Sequence, residues 1–133
     1  MVLNHNCIRD ILLEIEQFSS FNDTYEYNPN HLPVGSHLSH YDSDTVLYHI
    51  RQCDLAGYLF NTNWKVYDYV AIEDLNPIGH ELVANIKTEE KWNLTKKLLS
   101  KLGGAGLKMM SATAEGVATA FLNKYMASII QNL

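Results

Sequence analysis

Histidines and cysteines are the residues best suited to chemistry here, and their spacing limits what they can do. His31, His37 and His40 fall in one stretch that also holds Pro29, Pro33 and Gly35, and His49 follows on the next predicted helix. Three imidazoles can hold zinc. The spacing, however, contains neither a helical His-Glu-x-x-His pattern nor paired Cys-x-x-Cys, so no metal site is expected. His49 and His80 are expected to be partly buried and bonded to backbone or tyrosine. Cys7 and Cys53 stand at apolar positions of predicted helices, which reads as two buried free thiols. There is no phosphate loop, nucleophile elbow or dinucleotide fingerprint. The scattered carboxylates define no acid/base pair. The expectation is a protein that is not an enzyme and takes no cofactor.

The chain has 133 residues, 47% of them apolar, which is enough for one cored domain. Its formal net charge is -5. That charge is unevenly spread: residues 1–80 hold eleven acidic and three basic residues, whereas residues 81–133 hold four acidic and seven basic ones. A surface that embraces nucleic acid throughout is therefore excluded, although a local basic patch is not. The N-terminus lacks a basic segment followed by an apolar run, so no signal peptide is expected and the cytoplasm follows. The most apolar stretch, Ala105 to Ile130, is broken by Lys108, Glu115 and Lys124, so no bilayer span is expected.

Apolar periodicity places the elements that must position these residues. Cys7, Ile8, Ile11, Leu12, Ile15 and Phe18 recur at helical spacing over residues 6–18, with Asn4 or Asn6 as the cap. Tyr25-Glu26-Tyr27 reads as a short strand within a polar segment, residues 19–42, that has room for a single helical turn. Ser43 is expected to cap a helix over 43–56, with Val46, Leu47, Ile50 and Cys53 buried, Leu55 a further candidate for that stripe, and Gly57 in the left-handed position after it. Tyr58-Leu59-Phe60 and Lys65 to Ile72 then read as a hairpin turning at Asn61-Thr62-Asn63. Asn76-Pro77 opens a third helix with Ile78, Leu82, Val83 and Ile86 on its apolar face. Thr88 opens a fourth, carrying Trp92, Leu94, Leu98, Leu99 and Leu102, and Gly103-Gly104 is a stop or hinge. The last helix covers roughly 106–131.

The order helix, strand, helix, strand, strand, helices resembles a winged helix with little or no separate second helix. The run from Asp44 to Leu59 is similar to the third helix and following strand of that fold, and Leu75-Asn76-Pro77-Ile78-Gly79-His80-Glu81-Leu82 to the segment that closes a wing. More specifically, the chain resembles a family of small uncharacterised proteins of phages and prophages. That resemblance rests on the run from Asn4 to Glu16, on Tyr48-His49-Ile50, on Ala56-Gly57-Tyr58, on Gly79-His80-Glu81-Leu82, and on the Trp92 segment with Lys96-Lys97. It covers nearly the whole chain and implies a winged-helix-like fold and a phage setting, but no activity. The expected fold class is α+β and mainly helical. Residues 1–86 would form a winged-helix-like domain with a small antiparallel hairpin. Residues 87–133 would form C-terminal helices that pack on it or make a dimer seam.

Two function classes follow. In the first, the protein is a phage-encoded DNA-binding or transcription-regulating protein. Tyr48, Arg51, Gln52 and Lys65 would lie at a major groove and wing, where Gln reads adenine and Arg guanine in bidentate fashion. Lys91, Lys96, Lys97 and Lys101 would offer a second basic contact from one side of a helix. Asp44, Asp54, Asp68, Glu73 and Asp74 count against that surface, because phosphate neutralisation supplies most of the affinity. In the second class, the acidic unit is a non-catalytic module that engages a host protein in the host cytoplasm. In either case a homodimer is expected through the last helix, where Ala112, Gly116 and Ala120 are spaced for close approach, flanked by Val117, Phe121 and Tyr125.

Overall fold

The computed structural model describes residues 1–65, 69–103 and 106–133, and its chain divides into two compact units, Met1–Val83 and Ala84–Leu133. The fold is α+β and mainly helical, with five helices and one three-stranded antiparallel sheet among the described residues.

The first unit starts with α1 (His5–Phe18). The Asn4 side-chain oxygen accepts the Cys7 backbone N–H at 3.1 Å, so Asn4 caps the helix. Cys7, Ile8, Ile11, Leu12 and Ile15 are buried as the periodicity requires. Strand β1 (Tyr25–Tyr27) buries its two tyrosines and exposes Glu26 between them, as alternating strand geometry dictates. The segment leading to the next helix makes isolated turns, in which the N–H of His31 donates to Asn28, that of Ser36 to Pro33 and that of Tyr41 to Leu38. No helical turn forms between residues 29 and 40.

Helix α2 (Ser43–Leu55) is capped by Asp42 rather than by Ser43: its carboxylate accepts the Thr45 N–H at 2.7 Å. A carboxylate at this position satisfies an orphan donor and also meets the positive end of the helix dipole. The same bond holds the Asp42 carboxyl below its usual pKa. Leu55, a candidate for the buried stripe, is exposed instead. Gly57 then takes φ 82, the left-handed conformation that ends the helix.

Strands β2 (Leu59–Trp64) and β3 (Val70–Leu75) form the hairpin, and β1 adds to the other edge of β3, giving the order β1-β3-β2. The expected turn at Asn61-Thr62-Asn63 is not a turn. These residues are strand, with Thr62 opposite Ile72 and Trp64 opposite Val70. β2 lies at the edge of the sheet and exposes Asn61 and Asn63, so those polar side chains cost little there, and turn-type composition misleads. Asn61 holds φ 53, which asparagine tolerates better than most residues, and its amide reaches Glu73 across the pair. The connection lies later and is closed by the Lys65 N–H on the Tyr69 carbonyl at 3.0 Å. Within the expected strand Lys65 to Ile72, residues 66–68 lie outside the described residues, among them Asp68.

Helix α3 (Pro77–Ile86) begins at Asn76, whose side chain accepts the Gly79 N–H at 2.8 Å and donates to the Gly57 carbonyl. Gly79 is required by close approach, since a Cβ there would stand 2.2 Å from the Tyr58 carbonyl oxygen. Leu82, Val83 and Ile86 are buried, but Ile78 is exposed. His80 is exposed too, contrary to expectation, with its ring 3.4 Å from Asp74.

In the second unit, α4 (Glu89–Lys101) packs on α5 (Leu107–Gln131). Thr88 caps α4, Glu89 and Glu90 occupy its first turn and Lys101 its last, all in keeping with the dipole. Trp92, Thr95 and Leu99 are buried on α4, and Met110, Ala114 and Val117 on α5. Leu94, Leu98 and Leu102 are exposed in part. Gly103 ends α4 with φ 81, while Gly104, the second residue of the expected hinge, lies outside the described residues.

Candidate binding surface

One face of α2 is fixed to the core and the other is left for contact. Val46, His49, Ile50 and Cys53 are buried. The His49 ring is held at both nitrogens: the Asn4 N–H lies 2.8 Å from Nε2, and Nδ1 lies 2.7 Å from the Thr45 carbonyl oxygen. A backbone N–H can only donate, so Nε2 accepts and Nδ1 carries the proton. The ring is therefore neutral, and burial holds its pKa below the usual value. This ties the start of α1 to α2 and sets the rotation of α2.

With that face buried, Asp44, Leu47, Tyr48 and Arg51 project outward at i, i+3, i+4 and i+7. Together with Met1 and Trp64 they line an open groove of about 670 Å³. The Arg51 guanidinium lies over the Tyr48 ring, 5.8 Å from its centroid. The Tyr48 hydroxyl reaches the Met1 carbonyl at 3.4 Å. Trp64, at the end of β2, is 43% exposed, a large apolar surface left open to solvent. Among the described residues Arg51 is the one cationic side chain in this lining, and Asp44 shares it.

Of the nucleic-acid residues expected from sequence, the structure brings Tyr48 and Arg51 together. Gln52 is half-buried and Lys65 exposed, and neither lines the groove. The α4 lysines are spread around their helix. At about 100° per residue, Lys97 lies on the outer side and Lys101 at the rim of the groove with α5, whereas Lys91 and Lys96 flank the buried stripe on opposite sides. The Lys96 ammonium sits 5.5 Å from the Trp92 ring centroid.

Of the expected dimer residues, Ala112, Gly116, Ala120 and Tyr125 are exposed, Phe121 is half-buried and Val117 is buried. Thr113, Gly116, Val117 and Ala120 face Leu94, Leu98, Lys101 and Leu102 across a shallow apolar groove of about 370 Å³ between α4 and α5.

Several contributors escaped the sequence reading. Leu47, assigned there to the core, is half-exposed and lines the α2 groove, and Met1 and Trp64 were not singled out. The most telling omission is Glu14. It is fully buried, and its carboxylate accepts the Tyr25 hydroxyl at 2.7 Å, the Ser36 hydroxyl at 2.6 Å and the His37 N–H at 2.7 Å. It stands three residues after Ile11 and seven after Cys7, in the middle of the buried arc, so the signal was present in the spacing. Burial and the Glu14 carboxylate together push the Tyr25 hydroxyl well above its usual pKa.

The remaining chemistry-bearing residues have structural surroundings. His37 bonds Gln17, and His40 lies against the Tyr41 ring. Among the described residues no group of three or more His, Cys, Asp or Glu side chains could hold a metal ion. Burial, with the nearby Asp10 and Asp42 charges, pushes the Cys7 thiol up to about 12, and burial raises Cys53 as well. Both thiols are thus far from the thiolate form that reacts. No described helix is long and apolar enough to cross a membrane.

Searches of curated proteins and of solved structures found no match to this chain. A family model matches residues 2–106, which takes in every residue lining the α2 groove but Met1, and the chain belongs to that family, described as Hypothetical protein (DUF2513).

Proposed function

We propose that residues 1–83 form a winged-helix-like unit of a phage- or prophage-encoded protein that works without catalysis, holding a host protein of the cytoplasm in the groove between α2 and β2. The observation that carries this reading is the lining of that groove. Tyr48, Arg51, Trp64 and Met1 are the residue types enriched where proteins meet, and Tyr, Trp and Arg supply most hot spots. The unit around it holds twelve acidic and three basic residues, so a partner with a basic rim matches its field.

A second reading, DNA binding with a regulatory role, draws on one observation. The sheet order β1-β3-β2, with α2 preceding the hairpin, is the arrangement expected of a winged helix, and Arg51 and Gln52 stand on the helix that would enter the major groove. That support is fold analogy alone. Charge opposes it: one arginine beside Asp44 neutralises little phosphate.

Site-directed photocrosslinking from position 47 in host cells tests the choice. The expected result is a discrete protein adduct that disappears with Arg51→Glu. Adducts to nucleic acid, or protein adducts indifferent to Arg51→Glu, would count against the groove as a protein site.

A further inference from the structure

We infer that the second half of α5 is a homodimerisation face, in which two copies of this chain pair their α5 helices about a two-fold axis. This goes beyond the α2 groove and does not depend on it. Helix α5 has 25 residues and α4 has 13, about 37 Å against about 20 Å. The last buried residue of α5 is Val117, and every residue from Leu122 onward is exposed. That exposed half is nonetheless strongly amphipathic. At 100° per residue, Leu122, Tyr125, Met126, Ile129 and Ile130 fall within an arc of about 140°, and Leu133 lies just past the end of the helix. Asn123, Lys124, Ser128 and Gln131 occupy the other side.

The apolar arc does not continue the one that meets α4. Met110, Ala114 and Val117 centre about a third of a turn away from it, so even a longer α4 would leave it uncovered. The ten helical residues from Leu122 to Gln131 have no packed apolar face, and most helical stability in proteins comes from such packing, so a covering partner would stabilise this half of α5.

The chemistry of the face selects a second copy. Lys124 is the only charge from Leu122 to Leu133, and it lies on the polar side, so two such faces meet without like-charge repulsion. A charged partner finds nothing there to pair with. A helix lying in a membrane surface would carry several basic residues on its polar side, and this one has a single lysine. The five exposed apolar residues of the arc offer on the order of 500 Å² per copy, and Leu133 beyond the helix end adds to it, a substantial part of the roughly 800 Å² per partner of a standard stable interface. Spacings of three and four residues, from 122 to 125 to 129 and from 126 to 130, are those a two-helix seam uses.

The test is the mass of the full chain in solution, by light scattering and sedimentation equilibrium from low to high micromolar concentration. The expected result is a dimer of the 15.1 kDa chain. Tyr125→Glu with Ile129→Glu should raise the dimer dissociation constant at least about 100-fold, the loss expected when two central apolar contacts are replaced by charges. Leu94→Glu with Leu98→Glu, in the α4–α5 groove, should leave it unchanged. A wild-type chain that is monomeric at 100 µM overturns the inference, as does a dimer that survives the α5 pair of substitutions or is lost only with the α4 pair. A chain that is monomeric in solution but sediments with anionic vesicles overturns it in favour of a membrane surface.

Discussion

Replacing Glu14 by glutamine perturbs the deepest polar contact of the first unit without changing its shape. The carboxylate receives two hydroxyl donors on Oε2 and the His37 N–H on Oε1. A glutamine amide has one oxygen and one NH2 group. If its oxygen stays with the hydroxyls, the His37 N–H faces a second donor. If it turns over, Tyr25 and Ser36 must reverse their hydroxyls, and Ser36 already accepts the Leu38 N–H at 3.1 Å. Either arrangement leaves a buried donor poorly satisfied, at about 1–3 kcal/mol. In a unit of this size that lowers the melting temperature by on the order of 5–15 °C. Glu14→Leu removes every acceptor at once and should cost more, about 3–5 kcal/mol. Thermal melts followed by circular dichroism give the stability, and amide hydrogen exchange locates it. The His37 and Leu38 amides should lose protection before those of α1. A Glu14→Gln variant as stable as wild type, with protection at His37 unchanged, would refute the claim that Glu14 fastens residues 25–38 to α1.

Further predictions concern pH, packing and charge. His49 is neutral when folded, with a pKa held below 6.5. The unfolded chain therefore binds its proton first, so stability is complete above about pH 6.5 and falls as pH drops through the folded value, by at most about 1.4 kcal/mol per pH unit. Melts from pH 7.5 to 5 should show that decline, and His49→Gln should be less stable at pH 7.5 yet flatter with pH; an equal slope in both removes His49 as the cause. Asp42 titrates lower, its contribution being lost only as pH falls below the ordinary carboxylate range. Gly79→Ala forces a Cβ against the Tyr58 carbonyl and should cost about 1–3 kcal/mol, measured by urea unfolding. Lys97→Glu should shift stability by no more than about 0.5 kcal/mol, whereas Lys96→Glu should cost about 0.5–1 kcal/mol through its lost contact with the Trp92 ring, as read from paired melts.

Much of the fold was legible because local signals agreed with tertiary ones. The stripe from Cys7 to Ile15, the Asn76-Pro77 start of α3 and the left-handed Gly57 all carry their cause in the chain itself. The errors fall where a long-range neighbour decides. Asn61-Thr62-Asn63 has the composition of a turn, but β3 lies alongside and makes it strand. The cap of α2 is an exception, a local choice in which the Asp42 carboxylate, not Ser43, reaches the Thr45 N–H. Residues 19–42 were opaque because their partner, Glu14, sits on another element. Tyr48 and Arg51 could be chosen from the exposed face of a helix, but Met1 and Trp64 join them only through the fold. The apolar pattern of α5 was visible, yet its two arcs separate only once α4 is seen to cover the first half.

Whether the α2–β2 groove takes a protein, as proposed, and not nucleic acid is decided by fluorescence anisotropy, with the full chain titrated against random-sequence duplex DNA at low salt. No saturable binding is expected up to tens of micromolar, with or without Arg51→Ala. Salt-dependent binding in that range, weakened by Arg51→Ala, would overturn the protein-binding proposal.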